Sequence, residues 1–545
     1  MLWSTWAKFI NPPPPPPPPQ PVAQDTTVKQ TVIDTSASAT KSPELPIASG
    51  IPPPKPDRPE RLVRVENRDF IAIFSSYGGI LKSLELKKYT TENGGGKIPV
   101  QLVGVNKSDP WKTGGALTLG RDDSLSQINY LPFEITGGDI ILSEKDSSKT
   151  LVFTYTGPES SAIRKEYTFA STGYQFKMNL AIDKPQALGF NDKVTVGWLA
   201  PLLPTEKDYN EDLGKFAGFY SMGVEVVEQN KVDKGKMRQI STGLSRWIAV
   251  RSKYFANVVI AGKTEADEIL LAGVQDTIQN AMGKVFAWKK FALGLSFDLK
   301  GKSFSNDFTI YTGPLDYFIL QKMGNNLGKL VDMGWNLFRP FAVAILWFFV
   351  QLHRVLFNYG LVIIFFSIII KLIFWPLTRK SNASMYKMKE LAPKMADLKT
   401  RYKDEPQKIN TETMKLYREY GVNPFSSCLP ILIQLPIFWA MFSVLKNSIE
   451  LRAANLAFWI TDLSQKDQFY VLPIIMGISM FIQQKMTITD PKQKMMAYMM
   501  PVIFTVLFAQ WPSGLVLYWT VFNIISIFET MIIKRRMEEE KKVVS

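Results

Sequence analysis

One cysteine and one histidine in 545 residues remove most of the usual site chemistry. A single thiol, Cys428, has no intramolecular disulfide partner, so redox compartment cannot be read from it. A single imidazole, His353, excludes a multi-histidine zinc site of the H-E-x-x-H kind. Gly262-Lys263, Gly283-Lys284 and Gly301-Lys302-Ser303 all lack the upstream glycine of a phosphate-binding loop, so no built-in P-loop motor is expected. The chain therefore does not read as an enzyme, and no metal or cofactor is expected.

Acidic residues are also scarce relative to basic ones, with a formal net charge of +15. The excess concentrates from Asp316 onward, where 27 Lys+Arg stand against 16 Asp+Glu. That same stretch carries five apolar segments, near 359–377, 424–445, 469–486, 495–510 and 515–533, each read as a membrane span. The fourth is short of a ~30 Å hydrocarbon layer at ~1.5 Å per residue, and several short spans together would thin the bilayer around them. Loop charge orients the set. The loop 376–423 has eleven Lys+Arg and six Asp+Glu, 485–494 has three against one, and the tail begins Lys534-Arg535-Arg536, whereas 511–514 has no charge. The positive-inside rule puts the first three in the cytoplasm.

The start of the chain, residues 1–10, is apolar and aromatic but about half the ~20 residues a span requires, so it is expected to be the remnant of an N-terminal anchor. A proline run from Pro12 to Pro19 opens a Pro/Ser/Thr-rich linker over 11–60. From 61 to 315 the pattern has period two. In Tyr174-Gln-Phe-Lys-Met-Asn-Leu180 the apolar residues Tyr174, Phe176, Met178 and Leu180 share one face. Similar runs at 70–74, 81–86 and 151–156, separated by turn signals such as Tyr77-Gly-Gly79, predict a large antiparallel β-sandwich. Residues 316–358 are expected to form an amphipathic interfacial region, although the apolar run Phe341 to Val350 could also span.

Lys371 is the feature richest in chemistry, because a cation inside an apolar span needs water, a partner or a route to the headgroups. Ser367 lies one turn away on the same helical face, and Gln434, Gln483, Gln484, Thr520 and Asn523 add polar groups to other spans. Such groups serve as interhelical glue or line a wet cavity. The loop between the first two spans predicts a helical hairpin over 379–420: Met385, Met388, Leu391, Met395, Leu398 and Tyr402 form a stripe that Ile409, Leu416 and Tyr420 continue after a restart at Pro406. Its other face is basic. Lys387, Lys394 and Lys399, with Lys534, Arg535 and Arg536 of the tail, are candidate contacts to the phosphates of ribosomal RNA.

Taken together, Ile368-Ile-Ile-Lys-Leu-Ile-Phe-Trp-Pro-Leu377, Met414 to Pro424, Cys428-Leu-Pro-Ile-Leu-Ile-Gln-Leu-Pro-Ile-Phe438, Met499 to Phe504 and Trp511-Pro-Ser-Gly-Leu-Val-Leu-Tyr518 resemble the YidC family of membrane protein insertases. Gly78-Gly79 and Trp247 to Phe255 match more loosely the periplasmic β-supersandwich of its Gram-negative members. The resemblance implies an inner-membrane insertase and chaperone, working alone or beside the Sec translocon, with nascent membrane proteins, ribosomes and lipids as partners. It implies a five-span core over 359–536, a cytoplasmic tail over 537–545, and a hydrophilic groove open to cytoplasm and lipid. By position Lys371, Ser367, Gln434, Phe438, Gln483, Trp519 and Asn523 would line that groove or its apolar slide. Lysine stands at 371 where the family commonly has arginine, which keeps the charge but loses the planar fork. The alternative is a secondary transporter binding an anion at Lys371.

Overall fold

A computed structural model describes residues 58–544 apart from 94–95, 105–114, 123, 126–127, 233–234, 281, 302, 404, 423–428 and 488–490. The anchor remnant expected at 1–10, nearly all of the linker 11–60, and Cys428 lie outside the described residues.

Alternation of apolar and polar side chains builds strands with one buried face. Gln175–Asp183 buries Phe176, Met178, Leu180 and Ile182 and exposes Gln175 and Lys177. It pairs antiparallel with Ala162–Ala170 on one side and Ser303–Pro314 on the other. The runs expected at 70–74, 81–86 and 151–156 fall within the strands Phe70–Ser75, Ile80–Asn93 and Ser148–Thr156. The described strands between Leu62 and Pro314 form one sheet of ten and one of nine, antiparallel but for the pairing of Leu62–Glu66 with Ile140–Ile141. Inward-facing aromatics join the sheets. Phe74 of one sheet meets Tyr167, Phe169, Phe176 and Phe153 of the other, with ring centroids 4.8–6.2 Å apart. Each fully buried ring contributes ~1.5–3 kcal/mol.

A buried cation pins one turn between the sheets. Gly78 and Gly79 adopt φ values of 70° and 55°, and a Cβ on Gly78 would lie 2.8 Å from the Asn129 Cα, so only glycine fits. Their carbonyls turn inward, where Lys165 Nζ donates to Gly78 O at 2.7 Å and to Leu117 O at 2.8 Å. Tyr167 donates its hydroxyl to Gly79 O at 2.7 Å.

Eight helices from Arg339 onward carry the rest of the argument: α1 Arg339–Leu356, α2 Tyr359–Glu390, α3 Ala392–Arg401, α4 Pro406–Glu419, α5 Leu429–Asn447, α6 Val471–Thr487, α7 Pro491–Phe508 and α8 Ser513–Val544. The segments 339–356, 359–384 and 513–536 are long and apolar enough to cross a membrane, whereas 471–486 and 498–508 are apolar but shorter. The helix that holds the first expected span continues past 377: α2 runs through Pro376 to Glu390 without a break. Proline removes one amide donor there. The freed acceptor is Leu372 O, and the nearby Thr378 hydroxyl bonds Trp375 O at 3.1 Å instead. A helix restarts at Pro406 as expected, and the apolar seam takes Met388, Leu391, Met395 and Leu416 from the expected stripe while adding Tyr417 and Val422. Leu391, Tyr417 and Val422 are buried, with Met388, Met395 and Leu416 against them. Tyr420, expected in the stripe, is instead exposed and lies against Lys394. Tyr420 follows the last residue of α4 as its cap, which places its ring at the edge of the seam rather than inside it.

The turn after α5 ties the helices to the sandwich. Arg452 Nε lies 2.8 Å from Glu206 Oε1, both side chains under 10% exposed, and Arg452 Nη2 donates to Thr90 O at 2.9 Å. Lys446 pairs with Glu211 at 3.0 Å, Tyr254 donates to Lys446 O at 3.0 Å, and Asn447 donates to Asp332 O at 2.9 Å. The stretch before α1 also packs on the sandwich: Trp247 donates to Asn325 O and Arg251 to Leu330 O.

Candidate functional site

Lys371 sits midway along the apolar part of α2, so its position on the helix leaves it among hydrocarbon side chains. It is 5% exposed. An unpaired ammonium there costs ~2.5–3.5 kcal/mol or more, and α8 supplies the compensation. Nζ lies 2.7 Å from Glu529 Oε2, donates to Ser526 Oγ at 2.8 Å, and stands 4.6 Å from the Phe522 ring centroid. Phe522, Ser526 and Glu529 follow at steps of four and three, so one face of α8 presents all three. Glu529 Oε1 lies 2.8 Å from the Thr378 hydroxyl of α2. The second oxygen has no aligned hydrogen-bond donor although it faces Nζ. The contact is thus an ion pair rather than a directed hydrogen bond, and the directed bond goes to Ser526.

The other expected residues fall into layers rather than one ring. Asn523, one turn along α8 from Ser526, donates to Ser479 Oγ of α6 at 3.4 Å and is buried. Gln483 lies one turn further along α6 and is half-buried. Gln434 of α5 lies 3.4 Å from the Tyr518 hydroxyl. Phe438 and Trp519 meet at 5.5 Å in an aromatic cluster with Phe508 and Trp511. Ser367 lies one turn before Lys371 on α2. Its hydroxyl donates to Ile363 O, four residues back, at 2.7 Å and is fully buried, because a serine on a hydrocarbon-facing helix satisfies itself on its own backbone. Thr520 does the same on Val516 O.

Glu529, Ser526 and Thr378 escaped the sequence reading. The signal was present: a lone carboxylate inside one apolar span, opposite a lone ammonium inside another, leaves each the obvious partner of the other. The basic hairpin residues show no such convergence. Lys394 packs on Tyr420, and Lys387, Lys399 and Lys534 lie at separate positions along α2, α3 and α8.

An apolar helical bundle with a charge pair between two of its helices, bonded to a large antiparallel sandwich, defines a polytopic membrane protein with a soluble β-domain. Residues 62–348 match the family profile described as the YidC periplasmic domain, and residues 351–541 match that of the 60Kd inner membrane protein. The chain is 34% identical over 520 residues to the membrane protein insertase YidC of Geotalea daltonii, covering 94% of this chain and 92% of that one. It is 33% identical to the membrane protein insertase YidC of Geobacter sulfurreducens over 85% and 84% of the two chains. A solved structure of an active YidC insertase with its first transmembrane domain resolved has 20% identity and a TM-score of 0.38, covering 87% and 93%. The chain belongs to the YidC family of membrane protein insertases, which are not enzymes, and its sandwich is the periplasmic domain of an inner-membrane protein.

Proposed function

We propose that this chain inserts nascent membrane proteins by accepting their polar segments among α2, α6 and α8 and releasing their apolar helices to lipid along α5 and α8. The observation that carries this reading is the buried polar column on α8, where Asn523, Ser526 and Glu529 face Ser479 and Lys371 within otherwise apolar helices. A client's polar segment meets charge and hydroxyls there in place of hydrocarbon, which lowers its transfer cost, and burial of the client's apolar helix in lipid drives release. At ~1.5 Å per residue, α6 covers about 26 Å, so a bilayer of ~30 Å thins around it and the barrier shortens.

In this reading the five segments 359–377, 424–445, 469–486, 495–510 and 515–533 span. The sandwich 61–315 faces the periplasm, 316–358 lies at the interface, and the hairpin 379–420 and the tail 537–545 are cytoplasmic. Lys371, Gln434, Phe438, Gln483, Trp519 and Asn523 contact clients, with Ser367 acting only as a small packing residue. The basic face at Lys387, Lys394, Lys399, Lys534, Arg535 and Arg536 attracts ribosomal RNA, and the chain works alone or with the Sec translocon. The rival, anion transport at Lys371, finds no support among relatives that are all described as membrane protein insertases.

Photocrosslinkers placed at Phe438, Trp519 and Asn523, with Val355 of α1 as a control, test the route. A ribosome-stalled membrane protein should crosslink at the first three and not at Val355. Equal crosslinking at all four, or none, overturns the reading.

A further inference from the structure

The pair that neutralises Lys371 is built so that its carboxylate can leave. Nζ gives its aligned hydrogen bond to a neutral hydroxyl, Ser526 Oγ at 2.8 Å, and rests 4.6 Å from the centroid of the Phe522 ring. Both remain when Glu529 moves away. Glu529 Oε2 has no aligned donor, and Oε1 shares the single Thr378 proton with Trp375 O. The carboxylate is 7% exposed and is held by the 2.7 Å ion pair with Nζ and by one hydroxyl, so charge is its chief tie. Replacing it at Nζ by another carboxylate leaves the number of charges in the site unchanged, so the exchange avoids the large cost of burying a new unpaired charge.

We infer that Glu529 is the resident counter-ion of Lys371, a stand-in for a client carboxylate, and that it sets the charge preference of the insertion site. At rest the site is neutral. A client segment bearing Asp or Glu binds by displacing Glu529 from Lys371. A segment bearing Lys or Arg binds by taking Glu529 as its own partner, with Lys371 left on Ser526 and Phe522. Without Glu529 the site is a bare cation that favours acidic segments and repels basic ones; without Lys371 it is the reverse. This rests on the proposed passage of clients past Lys371, and the experiment separates the two.

Two reporter membrane proteins identical except for an Asp or a Lys in the translocated segment are inserted into proteoliposomes holding the full chain, and protease protection is read. Glu529→Gln should raise the acidic-to-basic insertion ratio on the order of a hundredfold or more, the effect of one unit charge at ~10 Å and an effective dielectric constant of ~20 acting with opposite sign on the two reporters. Lys371→Gln should lower that ratio by a similar factor. The exchanged pair, Lys371→Glu with Glu529→Lys, keeps the buried pair intact and should return the ratio to within about twofold of the parent. It also covers the case in which the single variants do not fold. If Lys371→Gln moves the ratio and Glu529→Gln does not, the counter-ion role is wrong while the client route stands. If neither single variant moves it, the client route past Lys371 fails as well. If both singles insert the two reporters equally poorly and the exchanged pair still departs from the parent ratio, the pair is structural and the inference is overturned.

Discussion

Glu450→Gln should tighten the junction between the helices and the sandwich at neutral pH. Glu450 lies in the turn after α5, and neither of its carboxyl oxygens has a hydrogen-bond donor other than its own amide. Burial, and next the charge of Asp316, push its pKa up to about 8 from an ordinary 4.5. The groups facing it are Asp316 and the hydroxyls of Tyr89, Tyr311 and Tyr359, with no cation among them. The docked state therefore holds a proton that the opened state loses above its ordinary pKa. Because the docked state binds more protons between pH 4.5 and 8, docking weakens as pH rises through that window and is insensitive to this group outside it. At pH 7 the penalty is about 3 kcal/mol, from ~1.4 kcal/mol for each of the ~2.5 units between 4.5 and 7. Glutamine carries no titratable proton, so the variant should dock about 3 kcal/mol more tightly at pH 7 and equally at pH 4.5. Hydrogen exchange at the Leu451 and Arg452 amides, which bond to Ser448 O and Ile449 O, reads the opening. Protection should rise roughly a hundredfold in the variant at pH 7. Loss of protection in the variant at pH 7, or a parent junction whose opening ignores pH after correction for intrinsic exchange, would refute the reasoning.

Arg452→Met should cost ~3–5 kcal/mol at the same junction because it strands Glu206, while Arg452→Met with Glu206→Met should recover most of that in thermal unfolding. Lys165→Met should destabilise the sandwich by ~3 kcal/mol or more, since the Gly78 and Leu117 carbonyls lose their donor, and a shift in chemical denaturation midpoint checks it. Reversing Lys387, Lys394 and Lys399 should weaken ribosome co-sedimentation more than removal of 534–545, because Glu538, Glu539 and Glu540 offset Lys534, Arg535 and Arg536. Binding that ignores both salt and these reversals contradicts the phosphate contact.

The sandwich is legible where burial alternates, as along Gln175–Asp183, and less so at Trp247–Arg251 and Phe255–Ala261, which are buried at every residue. The apolar segments were legible for the same reason in one dimension: hydropathy needs no knowledge of partners. What escaped was pairing across elements. Lys371 was found as an anomaly within its own span, but its complement lies 158 positions later, and no periodicity links residues on two helices. For Ser367, helical phase gives the shared face with Lys371 but not the bond that its hydroxyl makes to its own backbone. Pro376 lies inside the continuous helix Tyr359–Glu390, which hydropathy does not reveal because the end of an apolar run is not the end of a helix. The junction residues Glu206, Asp332 and Arg452 carried no local signal at all.

The charge of Lys371 is the most direct test. In cells depleted of their own insertase, membrane insertion by Lys371→Arg should match the parent, because arginine keeps the cation beside Glu529 and Ser526. Lys371→Glu should lose most insertion at equal membrane level, since two buried carboxylates then face each other with no cation between them. Equal insertion by parent, arginine and glutamate forms would contradict a working cation between α2 and α8.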